Sequence, residues 1–244
     1  LIHMFGAAGT GGFSNYNLSV GALNNPAAEI VIGVFMALFG VNFSVYYFLL
    51  RRNWRASLGN SELHAYWAIL LGSTLIIAFN ILPQAGDFLT SLRLSFFQVS
   101  TIMTTTGYAT ADFNLWPQLS RTILVMLMLI GSSAGSTGGG IKVVRLQLLC
   151  KSMVREIRRT VHPRSVNTIR FDGRAVDESV ISSTLAFFFA YIFVLLASTL
   201  IVSLDGFSFE TNFTAVVATL SNIGPGLDMV GPMGNFSQFS DLSK

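Results

Sequence analysis

The sequence predicts an all-α membrane protein built from repeated units, each made of a helix, a re-entrant loop and a second helix. Three observations support this fold class. Of the 244 residues, 52% are hydrophobic and only 11% are charged, and the mean hydropathy is +0.60. Two uncharged runs, 30–50 and 179–204, are each long enough to cross a bilayer, which takes roughly 20 residues. Glycine-containing turns recur between such runs, each after a short apolar segment.

The apolar runs give the spanning helices. We expect continuous helices over 30–50 and 179–204, because neither run contains a charge. A third helix is predicted over 64–82, which is uncharged apart from His64 at its start. This helix is expected to end at Pro83, because proline interrupts helical hydrogen bonding.

The composition also excludes several classes of protein. A single cysteine, Cys150, rules out an internal disulfide framework, and three scattered histidines argue against a zinc site. The chain opens Leu-Ile-His, without a charged n-region or a small-residue cleavage site. We therefore expect no signal peptide here, and a start within a longer protein.

The basic residues set the orientation. Twelve of the 15 lysines and arginines lie either at Arg51, Arg52 and Arg55 or between Lys142 and Arg174. The positive-inside rule places both groups in the cytoplasm. Segments 83–120 and 205–243, with one arginine between them, are then predicted to lie outside.

This topology leaves two short apolar segments that start and finish on the outer side. Residues 93–104 would span about 18 Å as a helix, too little to cross the membrane, so a re-entrant half-helix is predicted. The same pattern recurs at 211–220. The turns that follow are Thr104-Thr105-Thr106-Gly107-Tyr108 and Ser221-Asn222-Ile223-Gly224-Pro225-Gly226, and a third such turn is Gly9-Thr10-Gly11-Gly12-Phe13-Ser14.

These turns align on Gly12, Gly107 and Gly224, which predicts repeated units around a pore. Glycine permits the φ values needed to aim successive carbonyl oxygens at one axis, and an extended backbone at membrane depth is tolerated where it lines a pore. Such carbonyls can replace the hydration shell of a cation. The alternative interpretation is that the Thr-Gly turns only cap membrane helices.

A second feature is the glycine-rich stretch 131–140, which interrupts the inward crossing predicted over 121–159. Five glycines in ten residues oppose a continuous helix. Since irregular backbone is excluded from lipid, this loop must be buried in protein or face a water-filled cavity. We interpret it as a gate beneath the filter, with a static kink for close helix packing as the alternative.

Two other classes of protein stay open at this point. Gly131-Ser132-Ser133-Ala134-Gly135 formally fits the G-x-S-x-G nucleophile elbow, so an intramembrane serine hydrolase using Ser133 is one alternative. Against it, the motif follows an apolar run instead of a strand, and no histidine is placed as its base. A secondary transporter with broken helices is the other. A nucleotide site at 135–142 is rejected, because the order Gly-Gly-Gly-Ile-Lys does not match a P-loop.

The combined motifs resemble the TrkH-type membrane subunit of the Trk/Ktr/HKT potassium-uptake superfamily. They are Thr104 to Phe113, Ala134 to Lys142, Val161-His162-Pro163 and Asn222-Ile223-Gly224-Pro225-Gly226, and the resemblance covers essentially the whole chain. Members are similar in having four helix, pore loop and helix repeats around one potassium-channel-like pore. The resemblance implies a multi-pass protein of the bacterial inner membrane that conducts K⁺ and is not an enzyme. Channel-like flux and symport with protons or sodium both remain open.

On that pattern the chain divides into three parts. Residues 1–63 hold the second-repeat pore loop, its inner helix and a cytoplasmic link. Residues 64–160 hold the third repeat, with helix 64–82, pore helix 93–104, filter 105–108 and the broken inner helix 121–159. Residues 161–244 hold a cytoplasmic link and the fourth repeat without its last helix, with helix 179–204, pore helix 211–220 and filter 222–226.

The resemblance also assigns site residues. The filter would use Thr10, Gly11, Gly12, Thr105, Thr106, Gly107, Asn222, Ile223 and Gly224. The gate would comprise Gly135, Ser136, Thr137, Gly138, Gly139, Gly140 and Lys142. Only the Thr-Thr-Gly-Tyr segment approaches the potassium-channel pattern, so cation preference is a firmer expectation than selectivity over sodium.

Charged residues near the pore have two interpretations each. Lys142, at the inner end of the loop, would repel cations or pair with a carboxylate in a closed state, or would snorkel to the interface. Asp112 and Asp228 follow their glycines by five and four residues and would concentrate cations at the outer mouth, or simply form turns. Asn17, in the corresponding place after Gly12, weakens the idea of an acidic ring.

The resemblance further implies partners. These are membrane lipid, a second copy in a homodimer, and a cytoplasmic nucleotide-binding regulatory ring of the TrkA type, with no nucleic acid and no bound cofactor besides the substrate ion. The basic stretch 151–159, with Arg164, Arg170 and Arg174, is the expected docking surface for the ring. Its positive charge is also explained by topology and by contact with anionic lipid.

Overall fold

The computed structural model describes residues 1–162 and 168–243. Over these residues the chain is mainly helical. Its α-helices are α1 (Ile2–Ala8), α2 (Pro26–Phe39), α3 (Phe43–Leu50), α4 (Trp54–Leu58), α5 (Ser61–Ala85), α6 (Phe88–Met103), α7 (Gln118–Ile130), α8 (Val143–Val161), α9 (Glu178–Val202) and α10 (Phe209–Leu220). Short 3-10 turns occur at Ser19–Leu23, Phe113–Leu115, Ser203–Asp205 and Asp228–Val230.

One small β-hairpin lies in the predicted cytoplasmic link. Strands β1 (Arg170–Phe171) and β2 (Arg174–Ala175) pair antiparallel, with Arg170 opposite Ala175. Asp172 and Gly173 form the turn between them with positive φ, a two-residue Asp-Gly connection of the kind that favours tight hairpins. The sequence analysis did not predict this hairpin.

Two helices in the described ranges are long and apolar enough to cross a membrane: α5, and α9 with its 3-10 extension to Asp205. The exposed large apolar side chains of α9 include Phe189, Phe193, Leu196 and Leu200, as expected for a helix in contact with lipid. The helix is observed from Glu178 to Val202, close to the predicted 179–204.

The prediction of one continuous helix over 30–50 is wrong. The segment forms α2 and α3, which meet at an angle of 88°. Gly40 lies at the break and allows close packing there, because a Cβ would lie 2.3 Å from the Tyr66 hydroxyl and 2.7 Å from Thr104 Cγ2. Asn42 then starts α3, its Oδ1 accepting a 2.9 Å hydrogen bond from the Ser44 amide. Hydropathy alone does not distinguish such a bent pair from one span.

The prediction that the third helix ends at Pro83 is also wrong, by two residues. Helix α5 continues through Pro83 to Ala85, since a proline in the last turn removes only one helical hydrogen bond. Gly86, with φ +84°, ends the helix. Asp87 starts α6 by accepting a 2.9 Å hydrogen bond from the Thr90 amide.

Two half-helices point into the protein. Helix α6 has 16 residues, about 24 Å, so it is longer than predicted but still shorter than the bilayer core. Helix α10 has 12 residues. The main hydrophobic core surrounds both and includes Tyr66 and Leu70 of α5, Leu124 of α7 and Val217 of α10.

Candidate functional site

The C-terminal ends of α1, α6 and α10 share one hydrogen-bond pattern. In each, the amide just before the aligned glycine donates to a carbonyl five residues earlier. The bonds are Gly11 N to Gly6 O at 2.9 Å, Thr106 N to Thr101 O at 2.8 Å and Ile223 N to Ala218 O at 2.7 Å. This is the 6→1 bond of a Schellman motif, which ends a helix at a left-handed residue. The three predicted turns therefore have the same local construction.

The left-handed residue in each motif is not glycine. Thr10, Thr105 and Asn222 have φ values of +50°, +58° and +58°. A β-branched residue in this region is a steric outlier, and such strain persists only where the surroundings enforce it. Two residues later the backbone of each turn is left-handed again, at Gly12, Gly107 and Gly224, with φ of +65°, +85° and +110°.

The three segments lie side by side. A Cβ on Gly12 would lie 1.9 Å from the Thr106 carbonyl oxygen, and a Cβ on Gly107 would lie 1.9 Å from the Ile223 carbonyl oxygen. Gly12 and Gly107 therefore each pack directly against the carbonyl that precedes the next aligned glycine. A cavity of about 280 Å³ is lined by all three glycines. The structure thus brings together the three predicted turns, which are far apart in sequence.

Side chains behind the turns hold them in register. The Tyr108 ring is fully buried, and its hydroxyl donates to the Phe13 carbonyl at 3.2 Å, which joins the second turn to the first. Gln98 is fully buried too. In the amide orientation that satisfies its hydrogen bonds, its oxygen accepts from the Thr110 and Ala111 amides at 3.0 and 3.2 Å. The sequence analysis missed Gln98, because a glutamine in a half-helix has no distinguishing pattern.

The glycine-rich loop lies against all three turns. The Thr10 hydroxyl donates to the Thr137 carbonyl at 3.1 Å, and the Gly139 amide donates to the Thr105 hydroxyl at 2.6 Å. A Cβ on Gly139 would lie only 2.1 Å from the Ser221 carbonyl oxygen. Glycine is therefore required at this point of closest approach.

The two ends of the loop meet. The Lys142 amide donates to the Ile130 carbonyl at 2.8 Å and the Val143 amide to the Ser132 carbonyl at 3.0 Å, so α8 begins beside the end of α7. The loop is thus a compact Ω-type excursion toward the turns. Within it, the Lys142 ammonium contacts the Gly138 carbonyl and lies 3.5 Å from the Ser136 hydroxyl. The remaining predicted gate residues, Gly135 and Gly140, both have positive φ.

One residue that the sequence analysis missed contacts this loop. Glu62, in the first turn of α5, is only 3% exposed, and its carboxylate accepts a 2.6 Å hydrogen bond from the Ala134 amide. In the sequence Asn60-Ser61-Glu62 it has the position of an ordinary acidic residue at a helix start. Only the three-dimensional fold shows that it faces the loop.

The predicted pore-mouth acids both form local structure. The Asp112 carboxylate accepts a 3.0 Å hydrogen bond from the Asn114 amide and starts the 3-10 turn. The Asp228 carboxylate accepts from the hydroxyls of Ser208 and Thr211 at the start of α10. Hydrogen bonds from Ser208 and then Thr211, with the nearby charge of Arg121, hold the Asp228 pKa below its ordinary value.

The described residues give no support to the hydrolase alternative. Ser133 is fully buried, and in the part of the chain that the structure describes its hydroxyl has no hydrogen-bond partner, so no base contacts it. Over the same residues no group of three histidine, cysteine or acidic side chains is placed to hold a metal.

Much of the basic stretch 151–159 has intramolecular partners. Arg155 pairs with Glu178 at 2.5 Å and with Glu156 at 3.2 Å, and Lys151 donates to the Arg170 carbonyl at 2.8 Å. Arg164, also assigned to the docking surface, lies outside the described residues, as does Pro163 of the Val-His-Pro motif.

Comparisons with known proteins identify the family. The family model described as TrkH, cation transport protein, matches residues 1–244. Relatives include the Trk system potassium uptake protein TrkH of Salmonella typhimurium (strain LT2), 35% identical, and that of Escherichia coli (strain K12), 34% identical; each alignment covers 99% of this chain and 50% of the relative.

A solved structure agrees with this match. The crystal structure of the potassium transporter TrkH from Vibrio parahaemolyticus has a TM-score of 0.89 at 31% identity, covering 99% of this chain and 52% of that one. The predicted fold class is thereby confirmed, and the chain spans about half the length of the relatives it matches. The chain therefore belongs to the TrkH family, whose model is described as a cation transport protein, as its motifs indicated, and is an integral, multi-pass protein of the bacterial inner membrane.

Proposed function

We propose that the chain forms most of the K⁺ pathway of a potassium-uptake system. The observation that carries the proposal is the set of three helix ends with one hydrogen-bond pattern, in which Gly12 and Gly107 each pack on the carbonyl before the next aligned glycine. The curated relatives are named potassium uptake proteins, which favours K⁺ as the ion. The filter is assigned to Thr10–Gly12, Thr105–Gly107 and Asn222–Gly224.

The physical basis is substitution of the hydration shell. Carbonyl oxygens beside the three glycines replace the water molecules around a dehydrated cation. The strained backbone that aims these oxygens is already held in place by the folded protein before the ion binds. The half-helices α6 and α10 direct the negative ends of their dipoles toward the same region, which stabilises a positive ion there. No side-chain charge is needed in the filter itself.

A fourth filter segment completes this pathway in the proposal. The contacts run from Gly12 to the second turn and from Gly107 to the third, whereas a Cβ on Gly224 would meet nothing within 4 Å. The free side of Gly224 is where a segment from the rest of the protein fits. The relatives, about twice the length of this chain, have room for such a segment.

The glycine-rich loop is the gate in this proposal. It contacts all three turns from one side, and its two ends are pinned together, so the loop can move while α7 and α8 keep their places. Lys142, bound to the Gly138 carbonyl, holds a positive charge within the loop that opposes cation passage.

The regulatory arrangement follows from the same family assignment. The proposed assembly is a homodimer in the membrane, with a nucleotide-binding ring of the TrkA type on the cytoplasmic side. The end of α8 and the hairpin β1–β2 form the proposed contact surface for the ring, since Arg158, Arg159 and Arg174 lie there.

The proposed function is tested by flux. In cells that lack other potassium-uptake systems, the complete protein should restore growth at low K⁺, and reconstituted protein should conduct K⁺ in preference to Na⁺. Absence of K⁺ flux from folded, reconstituted protein would refute the assignment.

A further inference from the structure

The Glu62 carboxylate lies where three interruptions of the helical structure meet. It accepts hydrogen bonds from the Ala134 amide at 2.6 Å, the Val144 amide at 3.2 Å and the Asn42 side-chain amide at 3.3 Å. Asn42 marks the bend between α2 and α3, Ala134 lies in the glycine-rich loop, and Val144 is in the first turn of α8.

Glu62 also caps the start of α8 from outside that helix. Helix α8 has no side-chain cap of its own, because Lys142 occupies the N-cap position with φ +81° and its ammonium group cannot accept a hydrogen bond. The Glu62 carboxylate, from another helix, satisfies the Val144 amide instead and lies at the positive end of the α8 dipole. A second contact, in which the Gln147 side-chain amide donates to the Ser61 carbonyl at 3.1 Å, keeps the two helix starts together.

Three donors bind the Glu62 carboxylate directly, and the Lys142 ammonium interacts with its charge at longer range. Among the described residues no lysine or arginine forms an ion pair with it. Burying a carboxylate costs free energy unless hydrogen bonds compensate it, and two of the three donors to Glu62 are backbone amides, one within the loop and one just after it. The position of the loop and the solvation of this charge are therefore linked.

We propose that Glu62 is a positioning residue that holds the glycine-rich loop against the filter. This inference rests on the proposed function. The bond to Val144 fixes the start of α8 as a pivot, and the bond to Ala134 must break when the loop leaves the turns. Loss of the charge at position 62 weakens the closed arrangement without touching the filter.

The test is ion flux through the complete, reconstituted protein carrying Glu62→Gln. Basal K⁺ flux per folded molecule should rise about tenfold, the equivalent of losing one hydrogen bond to a charged group, with the K⁺/Na⁺ flux ratio unchanged. Glu62→Asp, which keeps the charge on a shorter side chain, should be intermediate. Glu178→Gln is the matched control, since Glu178 is also a first-turn acid of a spanning helix but is paired at the surface, and flux should stay at the wild-type value.

A double variant distinguishes positioning from a general structural role. In protein lacking residues 134–139, Glu62→Gln should add nothing, because the residue acts through the loop. Unchanged flux in folded Glu62→Gln protein, an equal increase with and without the loop, or failure of both Glu62 variants to fold would each overturn the inference. Wild-type protein is measured alongside, so absence of its K⁺ flux would count against the proposed function instead.

Discussion

The Gly139 amide donates a 2.6 Å hydrogen bond to the hydroxyl of Thr105, the strained left-handed residue at the end of α6. This contact joins the glycine-rich loop directly to the central turn of the proposed filter. Thr105 is fully buried and Gly139 is half-buried, so the Thr105 hydroxyl cannot exchange this partner for bulk water while the loop stays in place.

Replacing Thr105 by valine should therefore release the loop. Valine keeps the β-branched shape but removes the acceptor, leaving the Gly139 amide unsatisfied at a cost of about 1–3 kcal/mol. Basal K⁺ flux should increase about tenfold, which corresponds to roughly 1.4 kcal/mol. Flux of the reconstituted protein is the measurement.

Two controls accompany this substitution. Thr105→Ser retains the hydroxyl and should behave as wild type. Thr101→Val removes a buried hydroxyl on the same helix that has no partner among the described residues, and it should leave flux unchanged. Equal effects of Thr101→Val and Thr105→Val would show that the hydrogen bond to Gly139 is unimportant.

Gly107→Ala should damage selectivity. The added Cβ would lie 1.9 Å from the Ile223 carbonyl oxygen, and an L-residue at φ +85° costs a further 1–2 kcal/mol or so. Displacing that carbonyl should lower the K⁺/Na⁺ flux ratio by about tenfold or more. The ratio is measured in reconstituted vesicles.

Gly86→Ala is the matched control for this change. Gly86 has nearly the same φ, +84°, but a Cβ there meets nothing within 4 Å. It should lower stability slightly and leave the flux ratio intact. If both alanines changed the ratio equally, backbone strain alone would explain the result, and the contact with Ile223 would have no special role.

Deletion of residues 134–139 should raise K⁺ conductance. The loop ends are already adjacent, with the Val143 amide bonded to the Ser132 carbonyl, so α7 and α8 can keep their places. Conductance is measured in planar bilayers, and the amount of folded protein by size-exclusion chromatography. A folded deletion variant with wild-type conductance would favour the static kink over a gate.

Asp228→Asn separates the two interpretations of this acid. Asparagine still accepts hydrogen bonds from Ser208 and Thr211 and tolerates φ +58°, but the charge is lost. If the charge attracts cations, the apparent affinity for K⁺ at low ionic strength should fall about two- to threefold, with less effect at high salt. An unchanged affinity would leave Asp228 with its turn-forming role alone.

The difference in apparent K⁺ affinity between wild type and Asp228→Asn should depend on pH in a way that follows from the lowered pKa of Asp228. Because the folded pKa is depressed, the carboxylate is ionised throughout the pH range above about 4, and its contribution is lost only as the pH falls through the lowered value. The gap in affinity between wild type and Asp228→Asn should therefore be constant from about pH 8 to pH 5. If the two affinities became equal near pH 6, the effect on K⁺ affinity would belong to another titratable group.

The sequence predicted those parts of the site that depend on local chemistry. Gly12, Gly107 and Gly224 were identified because left-handed backbone favours glycine, and the loop at 131–140 because clustered glycines oppose a helix. Hydropathy missed the bend at Gly40, since a bent pair of apolar helices and a straight span have the same composition, and the packing of Gly40 against Tyr66 and Thr104 joins residues distant in sequence. Glu62 escaped detection for the same reason, because its donors come from two other segments.

The central claim is that carbonyl oxygens beside Gly12, Gly107 and Gly224 coordinate the permeant ion. The most direct measurement is the anomalous diffraction of Rb⁺ or Tl⁺ in crystals of the complete protein. We expect an ion peak bounded by the carbonyls of Gly11, Thr106 and Ile223. Ion peaks located only elsewhere in the protein, in crystals of material that conducts K⁺, would contradict it.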